Sequence, residues 1–133
     1  ELDILYDIGL NLGIAFQIQD DYLDLFGDEK IIGKKVGQDV TKNKKTALHH
    51  LFVNTASEAQ LSKYYDYINI SDDNEKIEKI KSLFIRSDVE KSLKKLVHEY
   101  SNNTTSAIES LNPKFSKTSD LILLSEFLLK RNY

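Results

Sequence analysis

Apolar residues return every third or fourth position along almost the whole 133-residue chain, and that period commits it to helices. From Leu2 to about Phe26 the spacing predicts one long buried helix. Gly9 and Gly13 lie inside it, each costing about 1 kcal/mol relative to alanine, so close packing against a neighbour is expected there. A polar stretch from Gly27 to about Asn43 follows, with Gly27, Gly33 and Gly37 as breakers. A loop of that length is usually functional or disordered. Helical spacing resumes over residues 44–54 on Ala47, Leu48, Leu51 and Phe52. Ser57 with Gln60 forms a capping box for a helix carrying Leu61, Tyr64, Tyr65 and Ile68. Asp72 with Glu75 opens another, and Ser87 with Glu90 a longer one through Leu93, Val97 and Tyr100. Asn112-Pro113 breaks the chain before a last helix from about Ser119 to Lys130. No alternating apolar pattern with a hairpin turn occurs, so the fold class is all-α, a helical bundle.

Composition narrows the function classes. With 41% apolar and 29% charged residues the chain is globular rather than disordered. Eighteen basic residues against twenty-one acidic ones leave no field that points to nucleic acid or an anionic membrane. The absence of cysteine removes disulfides, thiolate metal sites and cysteine nucleophiles; it fits a reducing, cytoplasmic location. No apolar run reaches the length of a membrane span, and Glu1, Asp3 and Asp7 stand where a signal peptide would be basic. The helical stripe is already at full stride at residue 1. Residues 1–133 are therefore expected to be a fragment of something longer.

The informative segment is Phe16-Gln17-Ile18-Gln19-Asp20-Asp21-Tyr22-Leu23-Asp24. On a helix, Asp20, Asp21 and Asp24 fall within an arc of roughly 100°. Like charges ~5.5 Å apart repel by about 3 kcal/mol per pair at an effective dielectric near 20, a liability unless something positive sits there. Oxygen-only ligands favour Mg²⁺, or Mn²⁺, over Zn²⁺, and Mg²⁺ commonly shares phosphate oxygens with a substrate. A solvated acidic helix end is the competing reading. Downstream, Gly33-Lys34-Lys35, Gly37, Asp39 and Asn43-Lys44-Lys45-Thr46 form a glycine loop with a basic exit. Lys34 and Lys44 suit diphosphate oxygens as mobile point charges, although lysines on a solvated loop are commonplace.

FQIQDDYLDLFGD followed by GKKVGQDVTKNKKT resembles the second aspartate-rich motif and lysine loop of the trans-isoprenyl diphosphate synthases, densely over residues 13–46. Downstream the likeness rests on helix order and on EFLLKRNY at the end. The resemblance implies an all-α bundle of the isoprenoid synthase type around a deep cavity, commonly homodimeric. It implies condensation of an allylic prenyl diphosphate with isopentenyl diphosphate, assisted by Mg²⁺. Carried over, Asp20, Asp21 and Asp24 are the expected metal-binding and catalytic carboxylates, with Asp39 near a metal-bound water. Lys34 and Lys44 would hold the allylic diphosphate, Gln17 would lie near the reacting carbons, and Arg131, with Lys130, would cover the second diphosphate. For Gln17 the plain alternative is a helix-surface amide, and for Arg131 a helix C-terminal charge. The family's first aspartate-rich motif has no counterpart here, so the chain as given is not expected to catalyse condensation, and product length is not readable.

Other motifs fail on spacing. Gly27 to Lys34 lacks the P-loop interval and its Ser or Thr, and the acid cluster lacks the EF-hand glycine. His49, His50 and His98 form no helical metal pair and read as solvated or structural. Two rivals remain: a class I terpene cyclase, whose second metal motif usually mixes Asn, Ser or Thr and Glu, and a non-catalytic helical subunit of a prenyl synthase.

Overall fold

The computed structural model of the protein describes residues 2–111 and 118–129. Among them run eight helices and no strand: α1 (Leu2–Phe26), α2 (Glu29–Ile32), α3 (Gln38–Thr41), α4 (Ala47–Thr55), α5 (Glu58–Tyr67), α6 (Asp73–Ile85), α7 (Val89–Glu109) and α8 (Thr118–Leu129). The Asn112-Pro113 break, Lys130 and Arg131 lie outside the described residues.

Local chemistry sets most boundaries. The Ser57–Gln60 capping box forms reciprocally, with Gln60 N donating to Ser57 Oγ at 3.3 Å and Ser57 N to Gln60 Oε1 at 2.9 Å. Asp72 Oδ1 accepts from Glu75 N at 2.7 Å and starts α6. Thr46 Oγ1 accepts from His49 N and starts α4.

Three expectations need correction. The stretch 27–43 is not one loop but holds α2 and α3, because Asp28 Oδ1 caps Lys30 N at 2.8 Å and Gly33, at φ 74°, closes the single turn. Ser87 does not cap α7. Its hydroxyl donates back to Phe84 O, Asp88 stands at φ 57°, and α7 begins at Val89. Nor are Gly9 and Gly13 closely packed, since a Cβ at either would meet nothing within 4 Å.

The chain divides into two compact units, the described residues up to Gln19 with those from Lys95 onward, and Asp20–Lys94. In the first, Ile8, Ile108 and Leu111 form a core flanked by Ile4, Leu5, Leu121 and Ile122. The opening of α1 is not buried throughout, as Leu2 is 82% and Tyr6 70% exposed.

In the second unit, Leu25, Leu48, Phe52, Tyr64, Ile80 and Phe84 are buried. Phe52, Tyr64 and Phe84 form an aromatic cluster with ring centroids 4.9–6.0 Å apart. Burying each such ring contributes about 1.5–3 kcal/mol. Glycine is required at two places here: Gly37 has φ 78°, and a Cβ there would lie 2.6 Å from Ile77 of α6, while a Cβ at Gly27 would lie 2.5 Å from the Leu23 carbonyl oxygen.

Candidate active site

The acid cluster occupies the last turns of α1. Asp21 and Asp24 are buried, and Asp20 is half-buried. Their repulsion is offset by backbone donors that sequence spacing does not reveal. Asp21 Oδ2 accepts the N–H of Ala47, the first residue of α4, at 2.8 Å. That places a carboxylate on the positive end of a helix dipole. Asp24 Oδ2 accepts the N–H of Asp39 at 2.9 Å, and Gly37 N donates to the Asp24 carbonyl.

Lys44 supplies the cation. Its Nζ stands 3.2 Å from Asp39 Oδ1, and that bond raises the lysine pKa. Burial raises the Asp24 pKa; the Asp39 amide and the charges of Lys34 and Lys44 counter it in part. Asp21, Asp24, Asp39 and Lys44 line a small cavity of about 20 Å³, together with His49 and Tyr64 among others. That is room for one water. His49 Nδ1 and the Tyr64 hydroxyl are hydrogen-bonded at 2.8 Å. Burial lowers the His49 pKa and raises that of Tyr64, so both stay neutral near pH 7.

The structure thus brings together Asp21, Asp24, Asp39 and Lys44. Asp20 does not line the cavity, and Gln17 and Lys34 are exposed. Among the described residues no three carboxylate or imidazole side chains converge as a metal centre. Sequence reasoning missed the amides of Ala47 and Asp39 as partners of the acids, and it took Tyr64 only as part of an apolar stripe.

The polyprenyl synthetase family profile matches residues 1–85. The chain belongs to the polyprenyl synthetase family. A farnesyl pyrophosphate synthase of Murgantia histrionica is 41% identical over 102 residues, covering 74% of this chain and 23% of its own length. The geranylgeranyl pyrophosphate synthetase of Pyrococcus horikoshii superposes with a TM-score of 0.81 at 33% identity, over 98% of this chain and 39% of that one. A geranylgeranyl pyrophosphate synthase of Corynebacterium glutamicum, solved with isoprenyl diphosphate and magnesium, shares the fold at TM-score 0.85 and 24% identity, over 98% and 37%. The chain therefore has the all-α isoprenoid synthase fold and spans well under half the length of these relatives. Among its described residues no helix is long and apolar enough to cross a membrane.

Proposed function

We propose that the protein carrying this sequence is a Mg²⁺-dependent trans-prenyl diphosphate synthase. It would condense an allylic prenyl diphosphate with isopentenyl diphosphate, as a homodimer in the cytoplasm. The observation that supports this reading best is the carboxylate-rich end of α1 joined to the Asp39–Lys44 pair in a member of this family.

The donor set fits a hard cation. It is oxygen only, and Mg²⁺ asks for one or two carboxylates plus substrate phosphate oxygens rather than a full protein cage. Asp20 would hold the ion with Asp39. Asp21 and Asp24 already direct one oxygen each at a backbone amide. When bound, Mg²⁺ neutralises charge on the departing diphosphate. Lys44 and Lys34 would bind diphosphate oxygens as point charges. Gln17 would face the reacting carbons, and Arg131 the second diphosphate. In the reaction the allylic carbon–oxygen bond breaks and diphosphate leaves. The double bond of isopentenyl diphosphate supplies the electron pair for the new carbon–carbon bond, and a proton departs.

The test is Asp20→Ala in the protein that carries this sequence. Turnover of the two diphosphates at saturating Mg²⁺ should fall at least about 100-fold, the loss typical of removing one group that stabilises developing charge. The melting temperature should change little. Undiminished turnover would overturn the assignment.

A further inference from the structure

This inference rests on the prenyl-transfer reading of the site and assigns a role within it. We propose that Asp21 and Asp24 are positioning residues, whose carboxylates clamp the two ends of segment 39–47 so that Asp39 is presented to the cation and Lys44 to the diphosphate.

The geometry is that of a two-point anchor. Asp24 holds the amide of Asp39 at one end of the segment, and Asp21 holds the amide of Ala47 at the other. Both anchors are buried on one helix, α1, three positions apart. Between them the chain is tied to itself, with Lys44 N donating to Asp39 O at 2.9 Å and Thr46 N to Lys44 O at 3.1 Å. Asn43 supports the turn in the left-handed region at φ 50°. The carbonyl of Asp24 adds a third tie through Gly37 N, just ahead of the segment. Lys44, whose side chain is 54% exposed, is thereby fixed at its backbone while its ammonium stays accessible.

A cap and a metal ligand respond differently to amidation. Asparagine accepts a backbone N–H about as well as aspartate does, whereas loss of the carboxylate charge weakens a hard-cation ligand. The test compares Asp21→Asn, Asp21→Ala, Asp24→Asn and Asp24→Ala in the protein that carries this sequence. Three quantities are read: hydrogen exchange at the Ala47 and Asp39 amides, affinity for inorganic pyrophosphate at saturating Mg²⁺, and the Mg²⁺ concentration giving half-maximal prenyl transfer. Each alanine variant should speed exchange at its own amide and weaken pyrophosphate binding by about tenfold or more, the effect of leaving one buried amide unpaired. Each asparagine variant should recover most of both losses, with a Mg²⁺ requirement within about twofold of the parent.

Asparagine variants as damaged as the alanine ones would overturn the clamp. So would unchanged exchange at Ala47 in Asp21→Ala. An alanine variant that fails to fold leaves its asparagine counterpart to decide. If the parent protein transfers no prenyl group, the functional reading fails by itself, and the exchange and pyrophosphate measurements still decide whether the two aspartates act as anchors.

Discussion

The hydroxyl of Tyr22 donates to Glu90 Oε1 at 2.8 Å, joining α1 to the first turn of α7. Lys94 Nζ donates to the same oxygen at 2.8 Å and lies 5.4 Å from the Tyr22 ring centroid. The bonds from Lys94 and Tyr22 hold the Glu90 pKa below the usual carboxylate range. A depressed carboxylate contributes stability above its unfolded pKa, and that contribution is lost as pH falls through the folded value. Tyr22→Phe should therefore cost about 1.5–3 kcal/mol at pH 7, the worth of a hydrogen bond to a charged group. The difference from the parent should narrow in strong acid, below the ordinary glutamate pKa of ~4.3. Urea melts of both proteins across pH 2–7 check it.

Asp24 shifts the other way, because burial raises its pKa. Its contribution is fully present below the unfolded pKa, ~3.9, and is lost as pH rises through the folded value. Ionised Asp24 therefore destabilises the folded chain at neutral pH. Asp24→Asn keeps an acceptor for the Asp39 amide and removes the charge. Its melting temperature should exceed that of the parent at pH 7 and match it near pH 3. Calorimetry at both values tests the sign.

Gly37→Ala combines a left-handed backbone with a Cβ only 2.6 Å from Ile77 Cδ1. The substitution should destabilise by about 1–3 kcal/mol from overpacking and more from strain. Combining it with Ile77→Ala should relieve the steric part alone. A double-mutant cycle in denaturant measures that coupling.

Ser57→Ala removes the hydroxyl that accepts from Gln60 N. A loss of about 1 kcal/mol is expected, with no change in pyrophosphate affinity. Thermal melts and titration calorimetry separate the two readouts.

Local features of the fold were legible because their causes are local. Ser57 with Gln60, and Asp72 with Glu75, act through bonds spanning three residues, and both caps form as the spacing predicts. Ser87 with Glu90 carries the same signature and fails. The left-handed Asp88 separates the two helices, and Glu90 is taken by Tyr22, 68 positions away. The one-turn helices of stretch 27–43 escaped notice because four residues are too few to show a period. For the site, periodicity put Asp20, Asp21 and Asp24 on one arc, and the family motif pointed to Asp39 and Lys44. Repulsion among the acids could not disclose that backbone amides of Asp39 and Ala47 relieve it, because those donors carry no side-chain signal. Gly9 and Gly13 show the converse, a sequence signal with no close contact behind it.

The aromatic cluster of Phe52, Tyr64 and Phe84 gives the chain a spectroscopic handle. With no tryptophan present, near-ultraviolet circular dichroism comes from tyrosine and phenylalanine alone. Tyr64 is fixed against Phe52, Phe84, Tyr65 and His49, and Tyr22 is buried against Phe26, whereas Tyr6 is largely in solvent. The chiral signal near 280 nm will therefore weight the surroundings of Tyr64 and Tyr22, and a Tyr22→Phe sample isolates the share that reports the packing of α4, α5 and α6.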